Sequence, residues 1–395
     1  MRKRSQTGLC RQHDKGKMME KNRFFPEVNG NFGFGCMRLP MNGNEVDLDT
    51  FSQMTDAFIE AGFNYFDTAH AYINGKSELA IKECVSKRHS RDSFLLADKL
   101  TDPFFEKQED IEPFVRSQLE WCGVEYFDFY LMHAQGLRNY GKFRDCRAYE
   151  TAYELKEKGL IRHLGISFHD TPEVLDMILS EHPELEFVQI QFNYADYDDA
   201  AVDSRRVYEV CEKHGKPVIV MEPVKGGTLV NLPGEADGIL RDLEGGSNAS
   251  YALRFAAGFP NIAVVLSGMS DLAQMQDNVT TMKDFRPLSE KEQEAIEKVR
   301  NVFRGLDLIP CTACRYCIEE NACPMSIRIP DLFAAMNNFQ TFHSDNTFFY
   351  YGDIITGNGH GKASECLRCG MCENVCPQHL PIREYLEKVA ATFEK

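Results

Sequence analysis

What the 395-residue sequence lacks narrows the field first. Positive charge is scarce: 44 Lys and Arg stand against 60 Asp and Glu, a formal net charge of −16. That balance argues against a nucleic-acid groove or a polybasic membrane contact. Long apolar runs are missing as well. A bilayer span needs roughly 20 consecutive apolar residues, and stretches such as "FVQIQF" and "AVVL" are only as long as buried strands. The first 23 residues, "MRKRSQTGLCRQHDKGKMMEKNR", are basic and polar with no apolar signal region. They read either as a disordered tail or as sequence upstream of a start at Met18 or Met19. Without a secretory signal, the six scattered cysteines (Cys10, Cys36, Cys84, Cys122, Cys146, Cys211) read as free thiols of a reducing cytoplasm.

What is present fits a globular enzyme. Hydrophobic residues make up 43% of the chain and charged residues 26%, enough for a barrel-sized domain and a smaller one. From about residue 32 to 270, short apolar runs alternate with amphipathic stretches. The runs are "FGFGCMRL" (32–39), "YFDTA" (65–69), "FLLADKL" (94–100), "YFDFYLMHA" (126–134), "IRHLGIS" (161–167), "FVQIQFN" (187–193), "PVIVMEPV" (217–224) and "IAVVLSGM" (262–269). Eight strand–helix units of this kind predict a closed α/β (β/α)8 barrel, with the domain spanning 24–305. An open doubly wound sheet would want a glycine-rich turn opening a helix after the first strand. "GNFGFGCMRLP" continues instead into Leu39-Pro40. "LSEKEQEAIEKVRNVFRG" (288–305) predicts a further helix, with Ser289 and Glu292 as a capping box and Gly305 as its stop.

Residues 306–395 form a separate cysteine-rich region, predicted to be small and mainly helical. "CTACRYCIEENACP" (311–324) and "CLRCGMCENVCP" (366–377) hold the other eight of the 14 cysteines. A C-x2-C-x2-C triplet directs three thiolates at one cube, and a fourth cysteine beside a proline comes from elsewhere. A pair of zinc sites is the competing reading, but zinc does not need that triplet. The region resembles a bacterial-type two-cluster ferredoxin, where the fourth ligand comes from the other motif. The likeness assigns one 4Fe-4S cluster to Cys311, Cys314, Cys317 and Cys376, and the second to Cys366, Cys369, Cys372 and Cys323.

Four polar residues fall at or just past the carboxyl ends of consecutive predicted strands, where a barrel places chemistry. They are Asp67 with Tyr72 in the following loop, Lys99, and His133. A buried lysine beside a tyrosine favours the phenolate and lowers the tyrosine pKa, while a carboxylate anchors the lysine. The phenol can then protonate a developing alkoxide, and an imidazole can polarise a carbonyl oxygen.

With "DTAHAYINGKSE" (67–78), "LKEKGLIRHLGIS" (155–167) and "VQIQFN" (188–193), residues 32–280 resemble the aldo-keto reductase family. The resemblance implies Tyr72 as general acid tuned by Lys99, Asp67 as the anchor of Lys99, and His133 as the carbonyl-positioning group. It places Ser167 and Gln189 on a nicotinamide carboxamide, with Phe168 where the family usually has Asn, and puts Met221 in the position of a stacking aromatic. It also implies pyrophosphate and adenosine contacts at Lys225, Gly268, Ser270, Gln274, Asp277 and Asn278. Gln274 stands where an arginine often clamps a 2′-phosphate, so NAD(H) and NADP(H) both stay open. Met37, Arg38 and the segment after His133, "AQGLRNYGKF", are substrate-loop candidates.

The two halves handle electrons differently. Hydride transfer moves two together and a 4Fe-4S cluster normally moves one, so a bound flavin is an open expectation. Aldo-keto reductase-like barrels fused to a cluster domain imply an iron–sulfur oxidoreductase acting on a small carbonyl or alcohol, with a ferredoxin or other redox partner. The alternative is a nucleotide-binding redox sensor or electron-transfer scaffold with little turnover.

Overall fold

The structure, a computed structural model, describes residues 21–199, 202–227, 229–232, 234–243, 245–305, 308–309, 311, 316–319, 323–343, 346–357, 359–376 and 380–394. Among the described residues, eight parallel strands close a barrel. They are β1 (Phe32–Gly35), β2 (Tyr65–Asp67), β3 (Leu95–Leu100), β4 (Phe127–Gln135), β5 (Ile161–Phe168), β6 (Phe187–Gln191), β7 (Val218–Met221) and β8 (Ile262–Gly268). Each strand pairs with its neighbour in sequence, and β1 pairs with both β2 and β8. Strands in such a barrel are covered on both faces, which explains their near-continuous apolar runs. Every residue of β3, "LLADKL", is buried. Asp98 and Lys99 in that strand therefore need partners inside the protein.

The barrel's amino end is closed by Phe25, whose ring packs edge-on against Phe129 and Phe187. This corrects the expected disordered tail at its last three residues. Asn22 is buried, with Nδ2 donating to Gly30 O at 3.0 Å and Ala263 O at 2.5 Å. Lys21 bridges to Asn29. Residues 1–20, including Cys10, lie outside the described residues.

Other features depart from the expected pattern. A short antiparallel hairpin (Met41–Asn42 with Glu45–Val46) precedes the helix Leu48–Glu60. The segment after His133 contains a helix, Leu137–Asp145, rather than a plain loop. The helix Glu290–Arg304 starts at the expected capping box and ends at Gly305.

Beyond it, the helices Ile329–Phe342 and Ile382–Phe393 share an apolar core of Leu332, Phe333, Leu386 and Val389. Buried Cys317, Cys372 and Cys376 belong to the same core. The aromatic-rich stretch between the two cysteine motifs is helical, including Asn346–Phe349 and Tyr350–Ile355. Among the described residues no helix is long and apolar enough to cross a membrane.

Candidate active site

The carboxyl ends of β2, β3 and β4 bring the four expected residues together. Asp67 is the last residue of β2 and pairs in register with Ala97. Lys99 follows two residues later on β3, on the same face of that strand. Its Nζ lies 2.7 Å from Asp67 Oδ1 and 2.7 Å from Thr68 O. Both side chains are almost wholly buried. Burial alone would lower the lysine pKa, but Asp67 and Tyr72 outweigh it and hold the ammonium above its usual value. Burial pushes the Asp67 carboxyl up, and Lys99 opposes that shift.

Tyr72 starts the short helical turn Tyr72–Gly75, and Lys99 Nζ sits 4.8 Å from its ring centroid. The next two residues, Ile73 and Asn74, have φ of 51° and 54°. Left-handed backbone at a β-branched isoleucine is strained, and such strain persists where the surroundings over-determine it. The expected net lowering of the tyrosine pKa does not hold. Burial pushes the phenol up to about 12, although Lys99 pulls it down. Desolvation of the phenolate outweighs the single neighbouring cation.

His133, near the end of β4, meets Tyr72 edge-on with ring centroids 6.0 Å apart. Ala134 beside it has φ 51°, and its amide donates to Ser167 Oγ at 2.7 Å. Burial, then Lys99 and His169, push the His133 pKa well below its ordinary value, so the ring is neutral near pH 7. Its Nδ1 is 2.6 Å from Thr101 Oγ1. Sequence reading missed Thr101. The available signal was alternation along "KLT", which sets Thr101 on the same side as Lys99.

The expected nicotinamide residues form one patch. Ser167 and Gln189 are register partners on β5 and β6, and both are buried. Gln189 Oε1 is buried with no hydrogen-bond partner among the described residues. A buried orphan acceptor fits a ligand that brings an N–H, as a carboxamide does. Phe168 is buried beside Ser167, and Met221 ends β7 opposite Gln191.

The remaining cofactor candidates are more scattered. Lys225 forms an ion pair with buried Asp196. Gly268 ends β8, and Ser270 Oγ donates to Arg38 O at 2.9 Å. Gln274 is held within its own helix start: its Nε2 donates to Asp271, and its Oε1 accepts from Ser270 N. Asp277 accepts from Ser247 Oγ at 2.6 Å, and Asn278 is buried with Nδ2 donating to Ser267 Oγ at 3.0 Å. Asn278 thus ties its helix to β8. Of the substrate-loop candidates, Met37 is exposed, while Arg38 lies over Gly268 and Gly226.

In the C-terminal region, Cys323, Cys366, Cys369 and Cys372 line one cavity walled by apolar residues including Pro324, Ile329 and Leu386. Cys323 thus lies beside the three cysteines of the other motif rather than apart from them. Four thiols around one apolar cavity fit the ligand set of an iron–sulfur cluster. Cys317 and Cys376 belong to the shared apolar core, Cys311 packs against it, and Cys314 lies outside the described residues.

The sequence profile of the Aldo/keto reductase family matches residues 31–301, and that of the 4Fe-4S dicluster domain matches 310–380. The chain belongs to the aldo/keto reductase family. It is an oxidoreductase of that family with a C-terminal 4Fe-4S dicluster domain.

The Bacillus subtilis oxidoreductase YqkF, which carries the description uncharacterised, is 26% identical over 304 residues, spanning 67% of this chain and 90% of its own length. A probable NAD(P)H-dependent D-xylose reductase of Emericella nidulans is 30% identical over 178 residues, 39% of this chain and 54% of its own. The chain thus spans about half of that second relative. Among solved structures, an aldo-keto reductase of Bacillus halodurans in its holo form matches with TM-score 0.58 at 23% identity, covering 72% of this chain and 96% of that one. One from Klebsiella pneumoniae in complex with NADPH matches with TM-score 0.59 at 19% identity and the same coverages, 72% and 96%. These structural likenesses show the fold.

Proposed function

We propose that the chain is an iron–sulfur aldo-keto oxidoreductase, catalysing NAD(P)H-linked reduction of a small carbonyl, or the reverse oxidation of an alcohol. The observation that carries this reading is the buried Lys99–Asp67 pair beside Tyr72 and His133, at the barrel mouth that also holds the Gln189 amide oxygen, unpartnered among the described residues. When bound, a reduced nicotinamide supplies the hydride, and iron–sulfur clusters supply single electrons. Ser167 and Gln189 would hold the carboxamide, and the eight motif cysteines would hold the two clusters.

The protein's own groups then do three things. Tyr72 holds the proton that the substrate oxygen takes as its carbonyl carbon becomes tetrahedral. Lys99 stabilises the phenolate left behind, and Asp67 keeps that ammonium charged and in place. With Thr101 donating to Nδ1, His133 keeps its proton on Nε2 and turns that N–H toward the carbonyl oxygen. A neutral imidazole suits this role, because it polarises the oxygen without competing with Tyr72 as the acid.

An anaerobic absorption spectrum before and after NADH or NADPH tests the reading. About eight iron and eight sulfide per chain, with dinucleotide oxidation coupled to loss of a carbonyl substrate, are expected. Two zinc ions without sulfide, or tight dinucleotide binding with no turnover across a carbonyl panel, would refute it. The second outcome would favour a nucleotide-binding sensor. The same spectrum reports any flavin.

A further inference from the structure

The turn after β7 is strained. Glu222 and Lys225 have φ of 54° and 49°, and Gly226 and Gly227 have φ of 63° and 97°. Two non-glycine residues in left-handed conformation within four positions need outside restraint. The barrel supplies most of it. Asn193 Nδ2 donates to Glu222 O at 3.0 Å and also binds Asp196, the partner of Lys225. The Arg38 guanidinium lies against Gly226, where an added Cβ would come within 3.0 Å of it.

One further restraint comes from the C-terminal domain. The ring of Phe342, the last residue of the helix Ile329–Phe342, lies 5.9 Å from Lys225 Nζ. The same ring packs edge-on against Phe303 of the helix Glu290–Arg304, with centroids 5.3 Å apart. It also borders the apolar cluster that holds Val224, Tyr194 and Leu229. Phe342 therefore joins the cluster domain to the turn where the family resemblance implies a pyrophosphate contact at Lys225. Tyr350, farther along the same domain, lies within electrostatic reach of Glu222, Arg38 and Lys225.

We propose that Phe342 is a positioning residue through which the C-terminal domain holds the Lys225–Gly227 turn in its dinucleotide-binding shape, so that dinucleotide affinity and cluster-domain integrity are linked. The inference rests on the reading that this turn contacts the dinucleotide. Linkage is reciprocal. If the cluster domain tightens the turn, a bound dinucleotide must in turn favour the docked cluster domain, and a docked domain is expected to shed its clusters more slowly.

The test uses the anaerobic holoprotein with Phe342→Ala, Phe342→Leu and Phe342→Tyr, each checked for full iron and sulfide. NADPH and NADH affinities are measured by fluorescence titration, and cluster bleaching is timed under a chelator with and without dinucleotide. The expected result is a loss of at least about fivefold in affinity for Phe342→Ala, with kcat at saturating dinucleotide within about twofold. Phe342→Tyr restores the affinity. Dinucleotide slows bleaching of the wild type and protects Phe342→Ala less. If Phe342→Ala fails to retain its clusters, Phe342→Leu carries the comparison. Equal affinities, or bleaching that ignores dinucleotide in the wild type, overturn the linkage alone. A wild type that binds neither dinucleotide overturns the functional reading as well.

Discussion

Lys99 Nζ and Asp67 Oδ1 lie 2.7 Å apart with essentially no solvent access to either side chain. A buried pair of this kind is weak evidence for stability, but removing one partner leaves an uncompensated charge. Asp67→Asn is therefore expected to destabilise by about 3–5 kcal/mol, a drop of roughly 6 °C or more in thermal midpoint. The double variant Asp67→Leu/Lys99→Met removes both charges, so its midpoint should recover most of that loss while activity stays absent. Recovery of activity in the double variant would show that the pair is structural only.

The pH profile follows from Tyr72 and His133. A general acid works while protonated, so activity falls as pH rises through its pKa. With Tyr72 pushed up to about 12, carbonyl reduction should show no basic limb until strongly alkaline pH. His133 is held well below its ordinary value, so it stays neutral and adds no acid limb near pH 6. Initial rates at subsaturating carbonyl should thus be flat from about pH 6 to 9. Tyr72→Phe should lower kcat/KM by at least about 10²-fold with dinucleotide affinity unchanged. A basic limb centred near pH 8 would contradict the assignment of Tyr72 as the acid.

Much of this arrangement is legible in the amino-acid string. Parallel barrel strands are buried on both faces, so each reads as an apolar run, and Lys99 stands out because a charge interrupts one. Asp67 and His133 are likewise placed by the strand ends. The unreadable parts depend on contacts between residues far apart in the chain. Gln118 Nε2 reaches Glu78, Asp98 and the Lys99 carbonyl, 40, 20 and 19 positions away, and no periodicity encodes such meetings. The pairing of Lys225 with Asp196 hides in the same way. The upward shift of Tyr72 is hidden because charge neighbours show in a motif, whereas the depth of burial does not.

Cys323 lines the same cavity as Cys366, Cys369 and Cys372, although the next of them lies 43 positions further along the chain. Replacing it should therefore remove the distant cluster and spare the nearer one. Cys323→Ala and Cys369→Ala are expected to lose the same paramagnetic signal on reduction and about four of eight irons. Cys376→Ala should lose the other signal. Electron paramagnetic resonance on anaerobic protein checks this. If Cys323→Ala and Cys376→Ala lose the same signal, the crossed ligation is wrong.

Behind Lys99, Glu78 and Asp98 are both fully buried and share Gln118 as a donor. His70 Nδ1 lies 2.6 Å from Glu78 Oε2, and Cys122 Sγ donates to Asp98. Burial pushes both carboxyls up, Glu78 to about 7, and the nearness of Glu78 adds to the rise at Asp98. A carboxyl raised in the folded state binds its proton more tightly there than in the unfolded chain. Its contribution is complete below the ordinary carboxylate pKa and is lost as pH rises through about 7. The wild type should therefore lose up to about 3 kcal/mol between pH 5 and 8 from Glu78, several degrees of thermal midpoint, with Asp98 acting in the same direction. Asp98→Asn keeps an acceptor for the Lys99 amide but removes the second raised carboxyl, and with it that group's own loss of stability as pH rises. The variant's midpoint should vary less over the same pH range. Parallel pH slopes for wild type and variant would show that the two carboxyls do not share this burden.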